Sequence, residues 1–276
     1  MNTRRVVLIT GCSSGFGELA ALEFADRGHR VVATMRRPGS SALLASRPDI
    51  DQIELDVCDD ASVVAAIGAV IEREGHVDIV VNNAGIEVFG AVHLLSDDEV
   101  RRQFDTNVHG VVRVVRAVVP HMLEHGGGAI VNVGSVAGLV GAPYSGLYAA
   151  SKHALEAISE AMHFELAQRG IRVRIVEPGQ FSTRLGDNSL HAAAMTPDTD
   201  EYRRFARFRE AQRRLVGGEP ADAREVARVI VDAATDEPGR LRYLVGSDAE
   251  LIATTKRQMS FEEFEAAMRV VLDWHE

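Results

Sequence analysis

The stretch Thr10-Gly11-Cys12-Ser13-Ser14-Gly15-Phe16-Gly17 decides how this chain folds. It lies between a β-branched run, Val6–Thr10, and a segment of helical periodicity, Gly17–Arg27. Glycines at such a junction permit a tight turn and a close approach of backbone to a pyrophosphate. The helix that follows turns unpaired N–H groups toward the same charge. The spacing is Gly-x-x-x-Gly-x-Gly, which differs from the generic Gly-x-Gly-x-x-Gly fingerprint. A strand before it and a helix after it make a dinucleotide the expected ligand of Gly11, Ser13, Ser14, Gly15, Phe16 and Gly17.

Beyond this turn, short apolar runs alternate with helical segments along most of the chain. The candidate strands are Val6–Thr10, Arg30–Thr34, Gln52–Leu55, Val77–Val81, Ala129–Val133, Arg172–Val176 and Leu241–Val245. Between them the periodicity predicts helices over Gly17–Arg27, Ala61–Glu74, Asp97–Glu124, Leu147–Gln168 and Asp222–Thr235. Gly28 and Gly170 stand where a left-handed residue closes the preceding helix, and Ser96 caps an acidic first turn. The expected fold is α/β, a doubly wound Rossmann-type parallel sheet of about seven strands with helices on both faces. A length of 276 residues suits one such domain. Residues 186–220 break the alternation and are expected to form a substrate lid, and 221–276 a carboxyl-terminal extension of the core.

Composition narrows the function classes. A net charge of −10 argues against a nucleic-acid partner, whose phosphates require a surplus of Lys and Arg. No apolar run reaches the ~20 residues of a membrane span. Two cysteines, Cys12 and Cys58, offer no disulfide framework and point to a reducing, cytoplasmic setting.

The second strand bears on which dinucleotide is preferred. NAD-selective sites commonly end it with a carboxylate on the ribose hydroxyls, whereas an arginine suits the 2′-phosphate of NADP. Here it ends Thr34-Met35-Arg36-Arg37-Pro38, with no acid and two guanidiniums. Arginine's planar fork holds phosphate through charge-assisted bonds, so NADP is expected over NAD, with Arg36 as its reader.

Tyr148 and Lys152 are four residues apart on a helical segment and share a face, and Ser135 closes the fifth strand thirteen positions before Tyr148. Carbonyl reduction needs a hydride at carbon and a proton for the developing alkoxide. A free tyrosine with a pKa of ~10 is a poor proton partner near neutrality, and tuning it by about three units takes ~4 kcal/mol. An ammonium ~4 Å away supplies a comparable amount at an effective dielectric of about 20. A serine hydroxyl can donate to the carbonyl oxygen. Tyr148 is therefore expected to exchange the proton, Lys152 to lower its pKa, and Ser135 to orient the oxygen.

With these motifs the chain resembles the short-chain dehydrogenase/reductase family over roughly residues 5–185. The resemblance implies further site residues. Asp56, with Val57, would contact the adenine, and Asn83, Ala84 and Gly85 would support the cofactor cleft. Asn107 would hold a water in a proton relay through Lys152, which also holds the ribose. Pro178, Gly179, Phe181 and Thr183 would lie at the nicotinamide. Phe16 replaces the family's usual Ile and implies an altered pocket shape.

Cys12-Ser13-Ser14-Gly15, Ala33-Thr34-Met35-Arg36 and Tyr148-Ala149-Ala150-Ser151-Lys152-His153-Ala154 are similar to the 17β-hydroxysteroid and retinol dehydrogenase branch. That similarity implies NADP and a lipophilic small-molecule alcohol or carbonyl, steroid-, retinoid- or polyketide-like. It also implies a homodimer or homotetramer built through the long helices. Two other readings stand beside this one, a β-ketoacyl thioester reductase and a non-catalytic NADP-binding sensor.

Two features outside the motifs carry expectations of their own. Tyr202, Phe205 and Phe208 recur every third residue in an arginine-rich segment, forming one apolar stripe of an amphipathic helix. His121-Met122-Leu123-Glu124-His125 fits a His-x-x-Glu-His pattern but ends a long helix before Gly126-Gly127-Gly128. A solvated helix end is expected there, with no metal and no zinc hydrolysis.

Overall fold

The computed structural model describes residues 4–181, 189–216, 221–272 and 274. Its seven-stranded sheet contains β1 (Val6–Ile9), β2 (Arg30–Met35), β3 (Ile50–Glu54), β4 (Ile79–Asn82), β6 (Gly128–Val133), β7 (Ile171–Pro178) and β9 (Arg242–Val245). All neighbours pair in parallel, in the order β3-β2-β1-β4-β6-β7-β9. β5 (Val88–Phe89) and β8 (Leu190–His191) form a separate two-stranded ribbon. The first six helices are α1 (Gly15–Asp26), α2 (Ala42–Ala45), α3 (Asp60–Glu74), α4 (Asp97–Phe104), α5 (Gly110–Glu124) and α6 (Gly146–Ala167).

Strands covered on both faces read as continuous apolar runs, and here the alternation of side chains sorts them into two cores. Val7, Ile9, Val31, Ala33, Ile79, Val81, Ala129 and Val131 join the cluster with α1 and the helix Arg224–Thr235. Val6, Leu8, Val32, Val80 and Ile130 join the one with α3, α5 and α6. Each fully buried Val, Leu or Ile contributes ~1.5–3 kcal/mol, so the central strands anchor both layers. A buried polar chain also ties them together. Asn82 Nδ2 donates to Asn132 Oδ1 (2.9 Å), and Asn132 Nδ2 donates to Ser159 Oγ of α6 (2.9 Å).

Helix ends follow the sequence signals. Ser96 and Glu99 form a reciprocal capping box, and Gly28 and Gly170 take φ +85° and +80°. The segment expected as one helix over Asp97–Glu124 is interrupted: a π-turn, Asp105–His109, separates α4 from α5. One inserted residue shifts the hydrogen bonding without ending the helix, so apolar periodicity alone does not reveal it. In the carboxyl-terminal region, β9 extends the sheet and the helix Arg224–Thr235 covers its β1 face. Two helices the periodicity did not bring out follow, Ser247–Gln258 and Phe261–Val271.

Candidate active site

Strand order reverses direction between β1 and β4, and in open α/β sheets the ligand crevice lies at the carboxyl ends of the strands there. A cleft of about 1250 Å³ opens at this point. Its β1 wall is the glycine turn, with Gly11 at φ +73° and Gly15 at φ +67°. A Cβ on Gly11 would sit 2.7 Å from Ala84 Cα, and one on Gly17 would sit 2.3 Å from Asn83 Nδ2. Asn83 explains this closeness. Its Nδ2 donates to the carbonyls of Thr10 (2.9 Å) and Gly11 (3.1 Å), stapling the turn to the loop after β4. Ser14 makes no side-chain capping bond to α1, so the first-turn amides of that helix remain available to an anion. The turn thus fits a dinucleotide pyrophosphate. Cys12 beside it is fully buried, and burial pushes its thiol far up, which makes it a packing residue.

Most of the expected cofactor residues border this cleft: Gly11, Ser13, Ser14, Gly15, Phe16, Arg36, Asp56, Val57, Asn83, Ala84, Gly85, Tyr148 and Lys152. Arg36 and Arg37 are exposed at the end of β2. Gly17 lies behind the turn, against Asn83. Pro178 ends β7 in register with Val245, and Gly179 packs against Asp248, where a Cβ would meet Oδ1 at 2.2 Å. Phe181 meets Phe16 edge to face, with ring centroids 6.0 Å apart. Thr183 lies outside the described residues.

Tyr148 and Lys152 project from the first turns of α6 and are 9 % and 6 % exposed. Lys152 Nζ donates to the Val133 carbonyl (2.8 Å) and lies 5.6 Å from the Tyr148 ring centroid. Ser135 follows β6, and its hydroxyl accepts from the Ala137 amide (3.1 Å). Asn107 is 1 % exposed within the π-turn. Its side chain is committed: Oδ1 accepts from the Ile86 amide (2.9 Å), and Nδ2 donates to Ile86 O (2.9 Å) and Ser151 Oγ (3.0 Å). Ser151 Oγ in turn donates to the Tyr148 carbonyl (2.7 Å). Asn107 therefore locks the loop after β4 to the turn of α6 that carries the tyrosine.

The electrostatics depart from the sequence expectation. Burial, and next the charge of Glu87, push Tyr148 well above the ordinary tyrosine range, while the Ser135 hydroxyl pulls the other way. The lowering expected from Lys152 does not emerge from the chain's own groups. That ammonium donates to the Val133 carbonyl, and burial pushes it down to about 8 against the pull of Glu156 and Glu87. The enclosing residues alone hold the tyrosine proton tightly.

Glu87 was not foreseen. It directly precedes β5, and its Oε1 accepts from Ser145 Oγ (2.8 Å) at the start of α6. Burial raises it, and the charges of Arg209 and Lys152 oppose that rise. A lone acid after Asn83-Ala84-Gly85-Ile86 carries no spacing signal, because its partners come from α6 and from the helix Asp200–Val216. Glu87→Gln removes negative charge near Tyr148 and is expected to lower that group's pKa. The alkaline rise of alcohol oxidation then moves to lower pH, and a pH–rate profile superimposing on wild type refutes the coupling.

The helix Asp200–Val216 buries the expected stripe. Phe205 packs on Phe89 (5.5 Å) and Tyr144 (5.4 Å), and Phe208 packs on Trp274 (5.5 Å). Arg209 lies 4.8 Å over the Phe89 ring. Tyr144 holds φ +63°, a conformation most side chains avoid, shortly before α6 begins. His153, adjacent to Lys152, turns its ring to the Ala149 carbonyl (2.8 Å) and takes no part in the site.

Comparison with known proteins agrees with this architecture. Residues 5–194 match the model of the short chain dehydrogenase family. The uncharacterized oxidoreductase YusZ of Bacillus subtilis is 34% identical over 275 residues, covering 96% of this chain and 98% of that one. Human 17-beta-hydroxysteroid dehydrogenase type 1 is 35% identical over 254 residues, 87% of this chain and 77% of that protein. Bovine retinol dehydrogenase 8 is 37% identical over 242 residues, 82% and 77% respectively.

Among solved structures, a short-chain dehydrogenase from Streptomyces avermitilis superposes with a TM-score of 0.82 at 34% identity, over 99% of this chain and 100% of that one. One from Burkholderia phymatum, in complex with NAD, scores 0.79 at 29% identity, over 96% and 95%. A gluconate 5-dehydrogenase from Burkholderia cenocepacia, in complex with NADP and tartrate, scores 0.75 at 29% identity, over 90% and 95%. No described helix is long and apolar enough to cross a membrane. The chain is thus an oxidoreductase that belongs to the short-chain dehydrogenase family.

Proposed function

We propose that the enzyme interconverts an alcohol and a ketone or aldehyde with NADP(H), acting on a lipophilic substrate. The observation that carries this reading is the placement of Tyr148 and Lys152 on the wall of the cleft bounded by the glycine turn, with the Ser135 hydroxyl acting on the tyrosine. A nicotinamide dinucleotide bound in this cleft would supply or accept the hydride. Tyr148 Oη gives its proton to the carbonyl oxygen in reduction and takes it back in oxidation. Ser135 Oγ orients that oxygen. Lys152 holds the ribose and a positive charge beside the ring. Asn107 keeps this turn of α6 in place through Ser151, and since both amide hydrogens of its side chain are engaged, any water relay past it meets Asn107 through an acceptor oxygen.

The lipophilic assignment is supported by relatives named for steroid and retinol substrates and by the aromatic cluster under the helix Asp200–Val216. Of the segment 186–220 expected as a lid, the described residues 189–216 serve to cover the substrate, while 186–188 and 217–220 lie outside the described residues; the region after 220 extends the single catalytic domain. The long helices α4 to α6 provide the faces of a homodimer or homotetramer, and the enzyme works in the cytoplasm. A panel of lipophilic ketones and aldehydes with NADPH tests the activity, and binding of NADPH without oxidation by any of them would favour a sensor.

Exposed Arg203, Arg204 and Arg207 on the helix Asp200–Val216 favour one second reading, a reductase of β-ketoacyl thioesters on an acidic carrier. Higher kcat/KM on carrier-bound than on free ketones decides for it. The NADP preference rests on Arg36. A lost charge-assisted bond to phosphate removes about 1.5–3 kcal/mol. Arg36→Leu is therefore expected to weaken NADPH binding roughly tenfold to a hundredfold and leave NADH binding nearly unchanged. Equal wild-type affinity for the two cofactors refutes the assignment.

A further inference from the structure

We propose that the carboxyl-terminal turn of α5 is a binding site for a divalent transition metal of the zinc class, held by His121, Glu124 and His125, outside the catalytic cleft. Positions i, i+3 and i+4 of a helix share a face, and here the potential ligand atoms all lie within 4.8 Å of one another. The two imidazoles stack with centroids 4.0 Å apart and planes 34° apart. The donor set is two nitrogens and one carboxylate oxygen, which suits zinc and its neighbours and does not suit magnesium or calcium.

Two details show that these side chains are more than a solvated helix end. His125 Nδ1 lies 2.9 Å from the His121 carbonyl, and a carbonyl can only accept. That nitrogen therefore carries the proton, and the lone pair is left on Nε2. A backbone carbonyl on the non-ligating nitrogen is how metal-binding histidines are fixed in tautomer and orientation. His121, in contrast to the exposed position expected, is only 9 % exposed, and its buried Nε2 has no hydrogen-bond partner. Native structures rarely leave such an atom unsatisfied, and metal ligation satisfies it.

The location separates this site from the chemistry. β6 starts at Gly128, just past the helix end, and finishes at Val133 beside Lys152. At ~3.3 Å per residue the two ends of that strand lie roughly 16 Å apart, one at the amino and one at the carboxyl ends of the parallel strands. The metal's place is structural. Gly127 N donates to Met122 O (2.8 Å) and Gly128 N to Gly170 O (3.1 Å), so α5, β6 and the entry to β7 meet at this corner. A fourth coordination position remains for water.

The test uses the full chain, stripped of metal with a chelator and desalted. Zn²⁺ is titrated by calorimetry, and Co²⁺ by its visible absorption, which reports nitrogen and oxygen ligation. One Zn²⁺ per chain is expected, with a thermal midpoint that rises on addition. His125→Ala, at an exposed position, and Glu124→Gln are each expected to weaken binding at least tenfold and to cancel the thermal shift. NADPH affinity, as a control for folding, stays the same. Absence of saturable binding, or binding by His125→Ala equal to wild type, overturns the proposal; the latter would place the ion on other histidines.

Discussion

Tyr148→Phe is expected to reduce turnover roughly 10²–10⁴-fold, the usual worth of a positioned proton donor, while nicotinamide dinucleotide affinity changes by no more than a few fold. The separation follows from the geometry. The ring is 9 % exposed and stays packed, and Lys152 keeps its bond to the Val133 carbonyl, so only the hydroxyl is lost. The pH dependence has a sign that follows from the site. Burial and Glu87 raise the tyrosine, so its protonated form prevails at neutrality and is ready to donate in reduction. Oxidation needs the deprotonated form, and its rate climbs as pH rises through the alkaline range. Lys152, pushed down to about 8, loses its charge within that range and with it part of its support for the anion. The phenylalanine variant abolishes the alkaline rise. Stopped-flow measurement of hydride transfer in both directions, beside a separate cofactor titration, checks both claims, and undiminished turnover sinks the role assigned to Tyr148.

The parts of the molecule legible in the sequence are those whose cause is local. Strands buried on both faces read as apolar runs such as Val6-Val7-Leu8-Ile9, and a capping box such as Ser96 with Glu99 is written in adjacent residues. The glycine turn was legible because close backbone approach excludes other residues there. What depends on distant partners was not. The π-turn at Asn107 preserves helical periodicity and so leaves no trace in the pattern. Glu87 gains its influence from Ser145 and Arg209, residues 58 or more positions away. The direction in which the chain's own groups shift Tyr148 was not legible for the same reason. Sequence spacing places Lys152 near the tyrosine, but the extent of burial, which sets the larger effect, is a property of the whole fold. The aromatic stripe at Phe205 and Phe208 was legible as a stripe, while its contacts with Phe89, Tyr144 and Trp274 were not.

Gly17→Ala is expected to be severely damaging for the addition of a single methyl group beside the cofactor cleft. The backbone at Gly17 is ordinary helix, so the objection is one of space alone. A Cβ there would stand 2.3 Å from Asn83 Nδ2 and 2.8 Å from Gly11 O, distances no relaxed structure tolerates. Asn83 must move, and its bonds to the carbonyls of Thr10 and Gly11 are lost together. Overpacking costs about 1–3 kcal/mol, and unsatisfied buried polar groups a similar amount, so destabilisation of roughly 2–5 kcal/mol is expected. Cofactor affinity should fall at least tenfold, because the turn that places the Gly11 and Gly15 amides is held by that same asparagine. A double-mutant cycle isolates the cause. Asn83→Ala alone loosens the turn but removes the atom that the methyl group strikes. In that background Gly17→Ala should cost markedly less, in both denaturant midpoint and NADPH binding. Equal penalties in the two backgrounds would mean that the glycine is required for some contact other than the staple, and the account of how this cleft is shaped would have to be rebuilt.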